Sequence, residues 1–243
     1  MKKLLYLFLT VLIVACSSED NNNDGDNNNQ SSCPIYLDSN GITIKACEDA
    51  NVGDTGVVDG VTYTVVDEAM LRAMVENEQD VTKVATTKVT NMSRMFFINY
   101  DTESYFNQPI GNWDTSNVTD MNRMFLLAVA FNQEIVNWDV SNVTNMRFMF
   151  DTANSFNQVI GNWDVSSVTS MDHMFIGVDA FNKPIGNWDV SRVIDMSNMF
   201  YYAIAFNKDL SSWDVDSVSS CGGFSDGATS WTQPKPNFTN CNP

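Results

Sequence analysis

The residues of this chain best placed to do chemistry are aspartates that recur at one position of a repeated phrase. They fall every 25 residues, so they would lie one above another if the repeats stack. Stacked carboxylates repel each other, so either a cation bridges them or each accepts hydrogen bonds within its own turn. The glycine-rich repeat typical of calcium-binding arrays is missing. Turn capping is favoured and calcium, the one cofactor indicated, stays open for Asp114, Asp139, Asp164, Asp189 and Asp214.

Other arrangements that could support catalysis are not apparent in the sequence. His173 is the single histidine, and no serine or cysteine can be assigned to it as a nucleophile. With 30 Asp and Glu residues, the presence of two carboxylates says nothing about a glycosidase pair. A P-loop and a dinucleotide fingerprint are both missing. We therefore expect a protein that is not an enzyme and has no catalytic residues.

The beginning of the chain has the features of a lipoprotein signal. Lys2 and Lys3 precede an apolar run that is shorter than the about 20 residues a membrane-spanning helix needs. The tetrapeptide that ends at Cys16 resembles a bacterial lipobox, which implies cleavage before Cys16 and lipidation of that residue. Residues 1–15 are thus predicted to be a signal peptide, and Cys16 is predicted to anchor the protein to the membrane.

A polar tether is predicted between the anchor and the folded part. Residues 16–32 are acidic and rich in asparagine, so they cannot bury apolar surface and are expected to be disordered. Ser17 resembles an outer-membrane sorting signal, and Glu19 with Asp20 resembles an export signal of surface lipoproteins. These resemblances imply an outer-membrane lipoprotein exposed on the cell surface, with the periplasmic face as the alternative.

Four cysteines remain once Cys16 is assigned to lipid. An even number in an exported chain predicts two disulfides, and position favours Cys33 with Cys47 and Cys221 with Cys241. The other pairings stay open. A metal site is disfavoured because the closely spaced cysteine pairs of zinc sites are missing. We therefore predict no metal apart from the calcium alternative above.

The composition indicates a folded, acidic protein. Apolar residues make up 44% of the chain and aromatic residues 12%, which is enough for a core. The net charge of -17 disfavours nucleic acid as a partner, because both carry negative charge. A solvated acidic surface is the simplest explanation of this charge, with basic partners as the alternative.

The repeat itself predicts an elongated stack. Self-similarity at this period is typical of solenoids, in which one rung buries its apolar face against the next. Each rung is expected to contain a short parallel strand, as at 109–113, and a short helix or 3₁₀ segment, as at 118–128. Its core is expected to contain Ile110, Val118, Met121, Met124, Phe125 and Phe106, with a buried tryptophan ladder and an asparagine ladder beside it. The ladders would contain Trp113, Trp138, Trp163, Trp188 and Trp213, and Asn107, Asn132, Asn157, Asn182 and Asn207.

Both ends of the array are expected to be capped. Residues 33–82 hold two β-prone pairs around Asn40-Gly41 and Asp59-Gly60, which predict type I′ hairpins, followed by a helix capped by Asp67. The predicted organisation is thus an N-terminal cap at 33–82, a repeat solenoid at 83–225 and a C-terminal cap at 226–243.

The phrase F-N-x-x-I-x-x-W-D-x-S-x-V-T-x-M-x-x-M-F closely resembles the repeat of BspA-like leucine-rich-repeat surface proteins over about residues 84–225. The resemblance implies a right-handed α/β solenoid of leucine-rich-repeat type, here of about six rungs with a small α+β cap. It also implies display at the bacterial surface and a role in adhesion or protein interaction, without catalytic residues.

Binding residues are expected at exposed positions that vary between otherwise similar repeats, and at tyrosines of the segment before the first full repeat. A protein partner on a host, a matrix or a neighbouring cell is favoured, and a glycan-binding accessory protein or an envelope protein without a ligand is the alternative. A long surface without a single cleft is expected. The candidates are Glu134, Val136, Val159, Asp209, Arg123, Arg147, Phe148, Tyr100 and Tyr105.

Overall fold

The computed structural model describes residues 34–243, which have a mixed α/β structure with two small sheets and one helix. The predicted signal peptide, the lipidation of Cys16, the tether and Cys33 lie outside these residues. Strands β1 and β2 form an antiparallel pair, and β3, β4 and β5 form a sheet in that order, with β4 and β5 parallel. The elements are β1 Ile35–Leu37, β2 Ile44–Ala46, β3 Thr55–Val58, β4 Val61–Val65, α1 Glu68–Glu76 and β5 Val84–Ala85.

The two hairpins of this region close differently. Asp59 and Gly60 join β3 to β4 with φ angles of 49° and 78°, the two positive values that a type I′ turn requires. The prediction of this turn type is confirmed there. Between β1 and β2 it is wrong: the longer loop 38–43 is held by the Asn40 side-chain oxygen, which accepts from the backbone N–H groups of Ile42 and Thr43.

Helix α1 begins where the sequence predicts it. The Asp67 carboxylate accepts a hydrogen bond from the N–H of Met70 at 2.8 Å and so satisfies one free donor of the first turn. Leu71 is fully buried, while Met74 and Val75 are partly buried against the main core. One face of α1 therefore covers the beginning of the repeat region.

Successive repeats are joined through their backbones. Single-residue parallel bridges connect equivalent positions, 25 residues apart except for the 29 between Asn91 and Asp120. The N–H groups that follow a bridged position donate forward along the array, whereas the N–H just before it donates back, as from Thr144 to Thr119 O at 2.9 Å. For example, the N–H of Arg123 donates to Arg147 O, and that of Phe125 to Met149 O, both at 2.9 Å. The bridged positions are Asn91, Asp120, Asn145, Ser170, Asp195 and Ser220.

The predicted short helix and short strand of each repeat are both wrong. Over 118–128 the chain forms consecutive turns, because Arg123 and Phe125 donate to the next repeat instead of to the residue four positions earlier. Arg123 and Leu127 also have φ angles of 57° and 59°, which a right-handed helix does not allow. Over 109–113 the N–H of Trp113 donates back to Ile110, which makes a turn where a strand was expected.

The predicted core is confirmed with one departure. Ile110, Val118, Met121, Met124 and Phe125 are fully buried, whereas Phe106 is only partly buried. The tryptophans form the expected buried ladder, as in the nearly parallel rings of Trp113 and Trp138, whose centroids are 6.4 Å apart. Each indole N–H donates to a backbone carbonyl of the preceding repeat, at 3.1 Å for Trp138 and Ile110.

The asparagine ladder is also present. The side-chain oxygen of Asn107 accepts from the N–H of Asn132 at 3.0 Å, and the same contact recurs up to Asn207, which accepts from Thr232. Each asparagine thus satisfies a backbone donor that no regular secondary structure would pair.

The C-terminal segment is fixed to the last repeat. A disulfide joins Cys221 to Cys241, as predicted, and Cys221 is buried at the position that methionine holds in earlier repeats. The other predicted pair includes Cys33, which lies outside the described residues. Within residues 34–243, no helix has the length and apolar character needed to cross a membrane.

Candidate functional site

A column of non-identical side chains runs across four repeats that otherwise nearly repeat each other. We call it the central column and define it as Arg123, Phe148, His173 and Asn198. All four have left-handed backbone conformations, with φ between 53° and 62°, and all four are half-buried. The left-handed conformation recurs whatever the side chain, so it belongs to the backbone of the repeat. This position can therefore hold different side chains, which lie in a row along the array.

The side chains of the central column stack on each other. The guanidinium of Arg123 lies 4.3 Å from the centroid of the Phe148 ring, and that of Arg147 lies 5.6 Å from it. On the other side of the column, the Phe148 and His173 rings are 4.3 Å apart and inclined by 17°. Arginine over an aromatic face is a favourable cation–π contact. The structure thus brings together Arg123, Arg147 and Phe148, three of the predicted binding residues.

A buried carboxylate lies next to this stack. Asp172 is 2% exposed and accepts hydrogen bonds from Arg147 Nε and Ser170 Oγ, both at 2.6 Å. Burial alone raises the pKa of Asp172, but the hydrogen bonds from Arg147, Ser170 and His173 outweigh it and hold the pKa below its ordinary value. In return, Asp172 raises the pKa of Arg147. From the sequence, Asp172 is one of the variable positions expected on an exposed face; its burial was not predicted, because nothing in the repeat pattern reveals which carboxylates are buried.

The imidazole of His173 has a partner at each ring nitrogen. Nδ1 lies 3.0 Å from Asp172 Oδ2, and Nε2 lies 3.2 Å from the side-chain nitrogen of Asn198. Both ring nitrogens thus have a polar side chain within hydrogen-bonding distance. His173 therefore connects the buried carboxylate to the next residue of the column.

The carboxylate of Asp151 and the guanidinium of Arg123 are only partly compensated for their burial. Burial raises the pKa of Asp151, and its contacts with Thr152, His173 and Arg123 offset this only in part. Within residues 34–243, the buried Nε of Arg123 has no hydrogen-bond partner. Incompletely satisfied groups of this kind are uncommon in folded interiors and mark the surroundings of Arg123 as unusual.

The remaining predicted binding residues lie elsewhere in the molecule. Glu134, Val159 and Asp209 are exposed, and Val136 is half-buried. All four lie in the short segment between the ladder asparagine and the tryptophan of their repeat. They are not part of the central column. The pKa of Asp209 is lowered by hydrogen bonds from the side chain and backbone of Ser211, so this carboxylate serves its own turn.

Tyr105 lines a cleft that was not predicted from the sequence, and Tyr100 lies in the same loop without lining it. A cavity of about 860 Å³ lies between α1 and residues 94–108, and Tyr105 lines it. Tyr100 packs edge-on against Phe97 at 5.0 Å, and the Tyr105 hydroxyl donates to Glu103 at 2.9 Å. The expectation of a surface without a single cleft is therefore wrong. The feature of the sequence that could have revealed the cleft is the spacing from Val84 to Trp113, which is longer than the regular repeat.

The aspartates of the repeated phrase act as turn caps. In four repeats, one oxygen accepts from both the N–H and the hydroxyl of the serine two residues later, as between Asp164 and Ser166 at 3.1 and 2.6 Å. The serine hydrogen bonds lower the pKa of Asp164 and Asp189. Among the described residues, no group of three or more acidic, histidine or cysteine side chains is arranged to hold a metal ion.

Asp114, at the beginning of the array, also lines a pocket that contains other charged residues. A small polar pocket of about 180 Å³ brings it near Asp38 and Asp139. Lys45 lines the same pocket, with its ammonium 3.5 Å from Asp38. A positive side chain thus already lies beside these carboxylates.

The fold and this surface define a protein of tandem 25-residue repeats with mixed α/β structure and a varied outer column. Residues 66–167 and 158–242 match the family described as Mycoplasma protein of unknown function, DUF285. These matches span well over half of the chain, which therefore belongs to that family. No curated protein and no solved structure matches the chain.

Proposed function

We propose that this chain is a non-catalytic surface lipoprotein whose repeats bind a protein partner through the central column and Arg147. The single observation that carries the proposal is the stack of the half-buried side chains of Arg123, Phe148 and His173. Arginine and aromatic side chains are enriched among the residues that dominate binding energy at protein interfaces. Their contacts with each other and with Asp172 fix their conformations before a partner arrives, which reduces the entropy lost on binding.

The finer architecture belongs to the same proposal. The repeats would form a right-handed solenoid of about six rungs related to BspA-like leucine-rich-repeat proteins, with caps at both ends. The parallel bridges from Asn91 to Ser220 and the tryptophan and asparagine ladders support a regular stack. In place of a strand and a helix, each rung would consist of turns closed by hydrogen bonds to the next rung.

Attachment at the outer surface of the bacterium is the second part of the proposal. It rests on the signal-like residues 1–15, on Cys16 and on the polar segment that follows. The test is protease treatment of intact cells, followed by detection of this protein and of a periplasmic control protein. Loss of this protein with an intact control supports surface display. Protection of both overturns it and favours an envelope role in the periplasm.

Binding is tested with the same cells on immobilised soluble proteins and glycans. We expect cells with the wild-type protein to adhere to at least one protein surface better than cells lacking it. The double variant Arg147→Ser, Phe148→Ser should lose this adherence while remaining at wild-type abundance. Adherence to glycans alone would favour the alternative of a glycan-binding accessory lipoprotein. Equal adherence by cells with and without the protein would contradict the proposed function.

A further inference from the structure

The cleft next to α1 arises from the one irregularity in the repeat spacing. Val84 and Trp113 hold equivalent positions but are separated by more than the 25 residues found elsewhere. The extra residues lie in the segment 97–105, which we call the first-repeat loop. Its tip is exposed at Ile98, Tyr100 and Tyr105. The loop and α1 form the two walls of the cleft.

The floor of the cleft is an aromatic ring that later repeats cover completely. Phe131, Phe156, Phe181 and Phe206 occupy the same position as Phe106 and are fully buried, whereas Phe106 is only partly buried and lines the cleft. Its ring stacks on Phe96 at 3.8 Å and continues toward Phe131 at 6.2 Å. The internal stack of rings therefore ends at a surface open to a ligand.

Apolar side chains also contribute to the walls. Val75 lies on the side of α1, and Phe97 and Ile98 lie on the side of the first-repeat loop. Ile98 is 59% exposed although it lines a concave surface with aromatic neighbours. A large aliphatic or aromatic side chain placed between these walls would bury apolar area on both sides of it.

The charged residues of the cleft are mainly acidic. Glu76 at the end of α1, Glu78 just after it and Glu103 line the cleft, and all three are exposed. Of the two arginines, Arg72 already binds Glu68 at 3.0 Å and the Ser93 carbonyl at 2.9 Å. Only Arg94 remains to offset three carboxylates, so a cation is favoured beside the apolar floor.

We propose that this cleft binds an extended peptide segment of a partner protein that carries a large apolar side chain next to lysine or arginine. The apolar side chain would contact Phe106 and Ile98, and the basic group would lie among Glu78, Glu103 and Glu76. A cleft of about 860 Å³ between two walls has room for a short polypeptide segment, whose neighbouring side chains supply both features. This site is separate from the central column and does not depend on it.

The test uses fluorescent synthetic peptides of equal length with the full chain at about 0.15 M salt, where weak surface attraction is largely screened. One peptide alternates phenylalanine with lysine, the second phenylalanine with glutamate, and the third alanine with lysine. We expect fluorescence anisotropy to show binding of the first peptide, with the other two at least about tenfold weaker.

Two variants locate the binding. Glu78→Lys and Ile98→Asp change exposed residues of the cleft and leave the core untouched, and each should weaken binding of the phenylalanine–lysine peptide about tenfold. The matched controls are Glu48→Lys and Ile194→Asp, which make the same changes at exposed positions elsewhere and should bind like the wild type. Phe148→Ser tests the central column in the same assay, so failure of one site is distinguished from failure of the other.

Several results would overturn the proposal. One is equal binding of the phenylalanine–lysine and alanine–lysine peptides, or equal loss in Glu78→Lys and Glu48→Lys, which would indicate attraction to the acidic surface as a whole. Another is displacement of the peptide by phosphatidylcholine vesicles that bind the wild type but not Ile98→Asp, which would assign the cleft to lipid. A dimer that Ile98→Asp dissociates would assign it to a second copy of the chain.

Discussion

The indole Nε1 of Trp163 donates a hydrogen bond to the backbone carbonyl oxygen of Ile135, 3.2 Å away in the preceding repeat. The contact is buried, and Trp138, Trp188 and Trp213 make it with their own preceding repeats. The tryptophan column therefore does more than fill the core, since each side chain also ties one repeat to its neighbour through a polar bond that water cannot replace.

The first prediction follows from this bond. Trp163→Phe keeps an aromatic ring but removes one of the two hydrogen bonds that the Ile135 carbonyl accepts, since the N–H of Trp138 also donates to it at 3.2 Å. The free energy of unfolding should therefore fall by about 0.5–1.5 kcal/mol from this loss alone. Urea unfolding followed by circular dichroism measures it. Trp231→Phe is the matched control, because the buried Nε1 of Trp231 has no partner within residues 34–243. Equal losses in the two variants would show that ring volume, and not the hydrogen bond, decides stability.

A second prediction concerns Asp172. Its pKa is lowered by hydrogen bonds to the charged form, so its stabilising effect is complete above the unfolded pKa of about 3.9 and is lost as the pH falls through the lower folded value. Asp172→Asn should therefore reduce the free energy of unfolding by about 1–3 kcal/mol at pH 7. The difference between wild type and variant should shrink at pH 3, as thermal unfolding at both pH values can establish. A difference that does not depend on pH would contradict this account.

Asp151 should behave in the opposite way. Burial raises its pKa, so the folded state becomes less stable as the pH rises from the unfolded pKa through the folded one. Asp151→Asn removes this penalty and should leave stability at pH 7 unchanged or higher. The same melts that follow Asp172→Asn measure it, and the two variants serve as controls for each other. A marked loss at pH 7 would show that the Asp151 charge stabilises the central column.

A fourth prediction tests turn capping against calcium binding in the aspartate column. Asp164→Ala removes the acceptor for Ser166 and should cost about 0.5–2 kcal/mol, the usual effect of losing such a cap. Asp164→Asn keeps a side-chain oxygen and should cost less. A chelator should leave the wild-type melting temperature unchanged. A drop of several degrees on chelation, restored by calcium, would instead assign the column to calcium.

The disulfide at the C-terminal end gives the fifth prediction. The bridge between Cys221 and Cys241 closes a loop with a sequence separation of 20, which corresponds to about 3 kcal/mol in the chain-entropy model. Cys241→Ala should therefore reduce stability, and in a repeat array the loss should be concentrated at that end. Hydrogen exchange should show lost protection around Phe224 and Trp231 and retained protection around Trp138. Uniform loss along the chain would contradict nearest-neighbour stability.

Much of the interior was predictable because identical side chains recur at one phase of the repeat. Trp138 and Ile110 are buried because every repeat places an apolar residue there, and the ladder of Asn132 and its equivalents follows in the same way. The turns over 118–128, where a helix was expected, could not be predicted from the sequence. The spacing of Met121, Met124 and Phe125 fits a helical face equally well, since a pattern of burial does not reveal where the intervening N–H groups donate.

The candidate sites divide in the same manner. Arg123, Arg147 and Phe148 could be selected from the sequence because they vary among similar repeats. Their stacking, and the buried Asp172 beside them, depend on which side chains meet across repeats. The sequence by itself determined the period and the buried columns, and it favoured turn capping by the aspartates, because each depends on the type of residue at a repeated position. Only the tertiary structure decided the turns, the stacked column and the cleft, because these depend on hydrogen bonds and contacts between segments far apart in the chain.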